Sequence, residues 1–292
     1  MLLSPQKKLS AWIQLLRCKH WIKNLFVFIG FAYNQHWTAS AQALQALLAF
    51  IAFCLISSSV YIFNDWQDQT QDRSHPIKKF RPIAAGFISS KEAFILFSLL
   101  FSCSLLISFC LSWTAVIILL VYLLMNILYS CYFKNIPYLD ISCIAISFML
   151  RILMGTIGIG IVPSQWLLLC TTFLTFFLGL SKRRAEMTLL HYSETSCFET
   201  RPVLRYYSIT ILDQCLTIFG MMSFASYAFY SLHHPGLPYT LPFTAFGIYH
   251  YWQQLKKPLT SDDPLWIIFN DKISLFNLLI WSGLTIYFLC FH

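Results

Sequence analysis

The chain has 292 residues, 58% of them hydrophobic and only 11% charged, with a mean hydropathy of +0.63 and a formal net charge of +8. A soluble domain carries about 25% charged residues, so composition excludes a water-soluble globular enzyme and predicts an all-α integral membrane protein. The positive charge is no signal of nucleic-acid binding, because the cations sit in loops beside apolar spans, where membrane topology accounts for them. The ten cysteines are scattered through apolar runs without paired metal spacing. They read as small hydrophobes rather than as a disulfide framework.

Residues 1–20 are a basic, partly amphipathic start with Lys7, Lys8, Arg17 and Lys19. No short apolar run leads to a small-residue cleavage site, so no cleavable signal peptide is expected. Trp12 and Trp21 suit a membrane interface. Apolar runs then predict about nine spans, near residues 21–33, 41–63, 93–111, 114–133, 139–161, 165–180, 207–232, 237–252 and 273–290. The first is short for the roughly 20 residues a span needs, so its preceding turn is included. Lys23 and Asn24 stand at its lip.

Charge placement supports this reading. Loops at 73–91, around Lys134, at 182–205 and at 256–272 carry nearly all the charge, whereas those near 34–40, at Ser112, at 162–164 and at 233–238 carry no Lys, Arg, Asp or Glu. The positive-inside rule puts the charged set and the N-terminus in the cytoplasm, with His292 outside. The expectation is one transmembrane domain over residues 1–292, in a plasma membrane, with its active site facing the cytoplasm.

The stretch NDWQDQTQDRSHPIKKFRPIAAG, residues 64–86, interrupts this greasy pattern with three Asp, two Lys, two Arg and a His. If the preceding helix continues, Asp65, Asp68 and Asp72 lie three and four apart on one face, with Asn64 on an adjoining stripe and Tyr61 one turn earlier. Two carboxylates about 6 Å apart repel by roughly 3 kcal/mol at an effective dielectric of 20. A divalent cation removes that cost, and oxygen donors without a nearby Cys point to Mg²⁺. Mg²⁺ so held usually binds substrate phosphates as well, and Arg73, Lys78, Lys79 and Arg81 suit phosphate oxygens. The alternative is a solvated loop of mixed charge.

Asp140 and Arg151 lie on nearly one stripe of the fifth span. An Arg at that depth costs about 2.5–3.5 kcal/mol or more against lipid, so a polar cavity or a structural partner is expected. Gly155 and Gly158 follow, and suit either close helix packing or a loosening of this helix. The run SKRRAE closes the sixth span, with Lys182 and Glu186 on one face beside Arg183 and Arg184; a stop-transfer cluster is the alternative. Lys134 closes the fourth span as an interfacial cation. His191, His233, His234 and His250 have no ligand spacing, and Asp213 reads as a packed polar residue.

NDWQDQTQD resembles the NDxxDxxxD signature of the UbiA intramembrane prenyltransferase superfamily. WIKNLFVF at 21–28, HPIKKFRPIAAG at 75–86, YLDISCIAISFMLRILMG at 138–155 and LGLSKRRAE at 178–186 resemble its decaprenyl-phosphate phosphoribosyltransferase branch, in order over nearly the whole chain. The resemblance implies a nine-helix bundle around a polar cavity open to the cytoplasm. It implies Mg²⁺-dependent transfer of 5-phosphoribose from phosphoribosyl diphosphate (PRPP) to a polyprenyl phosphate, with release of diphosphate. Where the superfamily has a second acidic motif, DxxxD, this chain has only Lys134 and Asp140 near the expected place, which favours the phosphoribosyl branch.

On that resemblance, Asn64, Asp65, Asp68 and Asp72 would hold Mg²⁺ against the leaving diphosphate. Lys78, Lys134 and Arg151 would clamp PRPP phosphates, with Lys23, Asn24 and Tyr61 beside them and Arg73 and Arg81 as further cations. Lys182 and Arg183 would hold the lipid phosphate, and Asp140 and Glu186 would orient the cations. The partners implied are PRPP, a polyprenyl phosphate and the bilayer, with no nucleic acid; a homo-oligomer stays open. The competing readings are an aromatic prenyltransferase of the same superfamily, using a polyprenyl diphosphate donor, and a transporter. A transporter would place polar breaks at mid-membrane in both halves, whereas here only Arg151 lies deep.

Overall fold

The computed structural model describes residues 5–32, 40–74, 78–192, 202–257 and 263–291, and all regular structure among them is helical. Residues 34–39, 75–77 and 193–201, together with His292, entered the topology reading above and lie outside the described residues. Seven helices there are long and apolar enough to cross a membrane. They run along α3 (Ser40–Gln67), α5 (Ser90–Leu111), α6 (Trp113–Cys131), α7 (Leu139–Met154), α8 (Gln165–Tyr192), α9 (Ile209–Leu232) and α12 (Lys272–Phe291).

Among the described residues, two of the nine expected spans fall short of that length. The first is a 3₁₀ segment, Cys18–Phe26, followed by α2 (Val27–Ala32). The eighth is a 3₁₀ segment, Leu237–Thr240, that runs into α10 (Leu241–Gln254), whose 14 residues reach about 21 Å at 1.5 Å per residue. Short helices complete the order: α1 (Pro5–Leu16), α4 (Gln69–Ser74) and α11 (Pro264–Asn270).

The described chain forms two compact units, Met1–Phe133 with Leu150–Val162, and Lys134–Met149 with Pro163–His292. In the first, α3 packs along α5, and the fully buried Ala46, Ala49 and Ala52 of α3 lie in the core of the unit. Small residues let helix backbones approach where lipid offers no hydrophobic drive, and the Ser104 hydroxyl donates to the Ala52 carbonyl at 2.9 Å. Ser89 and Glu92 form a capping box at the start of α5. Ser112, in extended backbone, ends α5 and caps α6 by accepting from the Ala115 N–H at 3.0 Å. Gly155 lies so close to the Val27 carbonyl that a Cβ there would overlap it. In the second unit α8 pairs with α9, and the rings of Phe176 and Phe219 stack at 5.3 Å. Asn277 ties α12 to α10 by donating to the Phe243 carbonyl at 3.0 Å.

Candidate active site

The acid motif is helical, as its spacing predicts. α3 runs to Gln67, and the bonds from Asp68 N to Asn64 O and from Asp72 N to Asp68 O, both 2.9 Å, carry the helical turn into α4. Asn64, Asp68 and Asp72 therefore follow one another at one-turn intervals. The carboxylates nevertheless differ in surroundings. Asp65 and Asp72 are 2% and 3% exposed, and buried carboxylates require partners. Arginines supply them. Arg17 forms an ion pair with Asp65, and one nitrogen of Arg81, Nη1, lies 3.0 Å from Asp65 Oδ1 and 2.7 Å from Asp72 Oδ2. Asp68 and Asn64 are half-buried, and Asn64 Oδ1 accepts from the Ser130 hydroxyl at 3.0 Å.

The sequence did not single out Arg17 as a site residue. It ends α1 in the left-handed conformation, φ 50° and ψ 44°, and its guanidinium lies 4.9 Å over the ring of Tyr61. Tyr61 and Asp65 are one turn apart on α3, so one side chain covers both. Arg81, expected on a phosphate, instead joins two acids. Arg73 is exposed and donates through Nε to the Ala84 carbonyl at 3.3 Å, which bends the 78–86 segment back toward α4. Lys23 and Lys78 are half-buried in this unit.

Deeper in the same unit, Arg151 is 4% exposed. Its Nε donates to Asn24 Oδ1 at 2.8 Å and its Nη2 to the Tyr122 hydroxyl at 3.2 Å, while the guanidinium lies 5.0 and 5.2 Å from the ring centres of Phe53 and Tyr122. Aromatic faces stabilise a cation by their quadrupole. Asn24 is fixed in turn, because its Nδ2 donates to Ser57 Oγ at 3.1 Å. Asn24 and Arg151, both named from the sequence, are thus brought together; Tyr122 and Phe53 were not foreseen, being ordinary aromatics in apolar runs.

In the second unit Arg183 is fully buried and ion-paired to Asp140 through Nε and to Glu186 through Nη1. Arg183, expected to contact a lipid phosphate, has its guanidinium enclosed with two carboxylates, and Lys182, half-buried, is the more accessible cation of the run. Glu186, expected to share a face with Lys182, closes on Arg183 one turn away. Tyr207 donates its hydroxyl to Asp140 Oδ1 and accepts the Tyr138 N–H at 2.7 Å. Burial and the bond to Asp140 push the Tyr207 phenol upward from its ordinary range, so it stays a donor. Tyr138 is held at φ 64°. Asp213 pairs with Arg184 Nε at 2.9 Å, which gives the packed polar residue of the seventh span its partner. Lys134 is half-buried.

Among the described residues no three His, Cys, Asp or Glu side chains gather as a metal cage. Mg²⁺ keeps several waters and takes one or two protein oxygens together with substrate phosphates. The carboxamide oxygen of Asn64 and the carboxylate of Asp68, one turn apart, form a donor set of that kind.

A multi-pass α-helical membrane protein with an acidic helix end and a deep, aromatic-cradled arginine is the class that fold and site define together. The chain belongs to the UbiA prenyltransferase family, whose model matches residues 24–278. It is 36% identical over 193 residues to the decaprenyl-phosphate phosphoribosyltransferase of Mycolicibacterium smegmatis, covering 63% of this chain and 59% of that relative. It is 32% identical over 233 residues to the enzyme of the same name from Corynebacterium glutamicum, covering 77% of this chain and 68% of that one. The fold is similar to a UbiA homolog from Archaeoglobus fulgidus bound to GPP and Mg²⁺, with a TM-score of 0.72 at 17% identity over 96% of both chains.

Proposed function

We propose that the protein transfers 5-phosphoribose from PRPP to a polyprenyl phosphate in a Mg²⁺-dependent reaction, and that residues 1–292 act as one catalytic domain in a plasma membrane with the acid motif toward the cytoplasm. The observation that carries this reading is Arg151, a buried guanidinium oriented by Asn24 in the same compact unit as the Asn64–Asp68 oxygens. A sugar diphosphate substrate presents the groups both features bind: phosphate oxygens for the fork of Arg and for a hard cation. The names of the two relatives support the choice of substrates.

In the reaction the bond between the anomeric carbon and the diphosphate oxygen breaks while an oxygen of the polyprenyl phosphate bonds to that carbon. The attacking phosphate is already anionic, so no strong general base is required. Asn64 and Asp68 would hold Mg²⁺, which would supply charge neutralisation on the leaving diphosphate. Arg151, Lys23 and Lys78 bind PRPP phosphates, with Tyr61 in the same compact unit. Lys182 binds the lipid phosphate, and Asp140, Arg183 and Glu186 order the helix that carries it. Catalysis is then chiefly positioning and electrostatic stabilisation.

The test is mass spectrometry of the lipid formed by purified protein from PRPP and polyprenyl phosphate with Mg²⁺. A parallel incubation contains polyprenyl diphosphate and an aromatic acid. A phosphoribosyl lipid that disappears on chelation supports the reading; a prenylated aromatic product with no ribosyl lipid overturns it in favour of the aromatic prenyltransferase.

A further inference from the structure

We propose that Arg17 is a positioning residue of the acid motif, acting through Asp65: with Arg81 it makes Asp65 and Asp72 structural counter-ions rather than metal ligands. The inference deepens the reading above and rests on it for the identity of the metal. Three observations carry it. Two buried carboxylates, Asp65 and Asp72, face two guanidiniums, so their charge is balanced inside the protein and the drive to recruit a further cation to them is removed. A single nitrogen of Arg81 also stands between the two acids, at 3.0 and 2.7 Å, in the place a bridging cation would need.

The backbone, finally, is built to deliver Arg17. A non-glycine residue in the left-handed region is disfavoured by roughly 1–2 kcal/mol and persists where its surroundings over-determine it. Those surroundings are a row of bonds onto one stripe of α3. Ser58 Oγ donates to the Leu16 carbonyl at 2.8 Å, Trp21 Nε1 donates to Ser58 Oγ at 3.0 Å, and Asn24 Nδ2 donates to Ser57 Oγ at 3.1 Å. The segment from Leu16 to Asn24 is thus stitched along the helix that ends in the acid motif. One end of the row holds Asp65 through Arg17, and the other holds Arg151 through Asn24. The amphipathic helix α1 packs there by Ala11 and Leu15, so its docking sets the height and rotation at which Asn64 and Asp68 are presented.

The experiment uses the full chain purified in detergent, with Mn²⁺ as probe, its binding read from the electron paramagnetic resonance of the free ion. The variants are Arg17→Ala, Arg17→Lys, Asp65→Asn and the Arg17→Ala/Asp65→Asn double. Each Ala or Asn single variant is expected to weaken Mn²⁺ binding by about 10- to 100-fold, the range for losing an outer partner of a metal site. The double variant should lose no more than either single, because both remove one interaction. Arg17→Lys, which keeps the charge, should recover part of the loss, and the KM for polyprenyl phosphate should stay within about twofold, since α1 does not carry that site. Arg17→Ala that binds Mn²⁺ as tightly as the parent or more tightly, while Asp65→Asn loses it, would make Asp65 a ligand and overturn the proposal. So would variants that melt earlier but, in the folded monodisperse fraction, bind Mn²⁺ like the parent, or a parent protein that binds no Mn²⁺. If the Mn²⁺ pattern holds but no phosphoribosyl lipid forms, the functional reading fails and the positioning role stands.

Discussion

Arg151 Nε donates to the carboxamide oxygen of Asn24 at 2.8 Å, a bond between residues 127 positions apart that fixes a buried guanidinium in one orientation. Lysine would keep the charge there but cannot reach Asn24 and Tyr122 together with one planar fork. Arg151→Lys is therefore expected to lower kcat/KM for PRPP by roughly 30- to 150-fold, the equivalent of one charge-assisted hydrogen bond at about 2–3 kcal/mol. Asn24→Leu should give a similar loss, and the two should be non-additive. Steady-state kinetics against PRPP, with polyprenyl phosphate saturating, checks both. An unchanged kcat/KM in Arg151→Lys would remove this guanidinium from the substrate.

What could be read before the structure was periodic or strongly local. The one-turn spacing of Asn64, Asp68 and Asp72 and the depth of Arg151 follow from helix geometry, which sequence spacing encodes. Pairings made at long range were not legible. Arg17 reaches Asp65 only because one residue after α1 turns left-handed, and no propensity requires a left-handed Arg. Tyr207 meets Asp140 across 67 positions, and nothing in a tyrosine before an apolar run announces it. The pairing of Arg183 with Asp140 and Glu186 was not legible either, because a sequence displays charge but not the carboxylates that enclose it. The first and eighth spans, expected at 21–33 and 237–252, are helical over 18–32 and 237–254, and hydropathy does not see that each begins with a 3₁₀ segment.

Arg183 is enclosed with Asp140 and Glu186 and is fully buried, so deleting it strands two carboxylates. Arg183→Leu is expected to destabilise the folded protein by about 3–5 kcal/mol, the usual result of removing one partner from a buried ion pair. Arg183→Leu combined with Asp140→Asn should recover part of that loss by removing one stranded charge. Thermal unfolding in detergent reads both. If Arg183→Leu unfolds at the parent temperature and only lipid-phosphate KM rises, the direct ligand role is the correct one.

Asp271 caps α12 through the Ser274 N–H at 2.7 Å and pairs with His250 Nε2 at 2.8 Å. Burial alone would raise this carboxyl, but the Ser274 amide and His250 outweigh it and hold it below the ordinary aspartate value. A depressed folded-state value means the contribution is fully present above the unfolded value, about 3.9, and is lost as pH falls through the lower folded value. The melting temperature of the parent should exceed that of Asp271→Asn at pH 6, and the difference should shrink only as the pH drops below about 4. A difference that stays constant down to the lowest tolerated pH would show that the carboxylate charge does not act there.

Glycine substitutions separate close packing from mere helix propensity. A Cβ on Gly155 would run into the Val27 carbonyl, and backbone cannot swing aside as a side chain can. On the facing segment a Cβ on Gly30 would meet Thr156 and the Gly155 carbonyl, so neither side has slack. Gly155→Ala is expected to destabilise by about 1–3 kcal/mol or more, as over-packing of a tight contact does. Gly283, on α12, has nothing within 4 Å of an added Cβ, and Gly283→Ala should stabilise by about 0.5–1 kcal/mol through the lower backbone entropy of alanine. Melting temperatures measured in one detergent should therefore move in opposite directions. Asn24 lies on the stretch that ends at Val27, so Gly155→Ala should also lower kcat/KM for PRPP in the folded fraction; a variant that melts early yet keeps the parent kinetics would uncouple this contact from the orientation of Arg151.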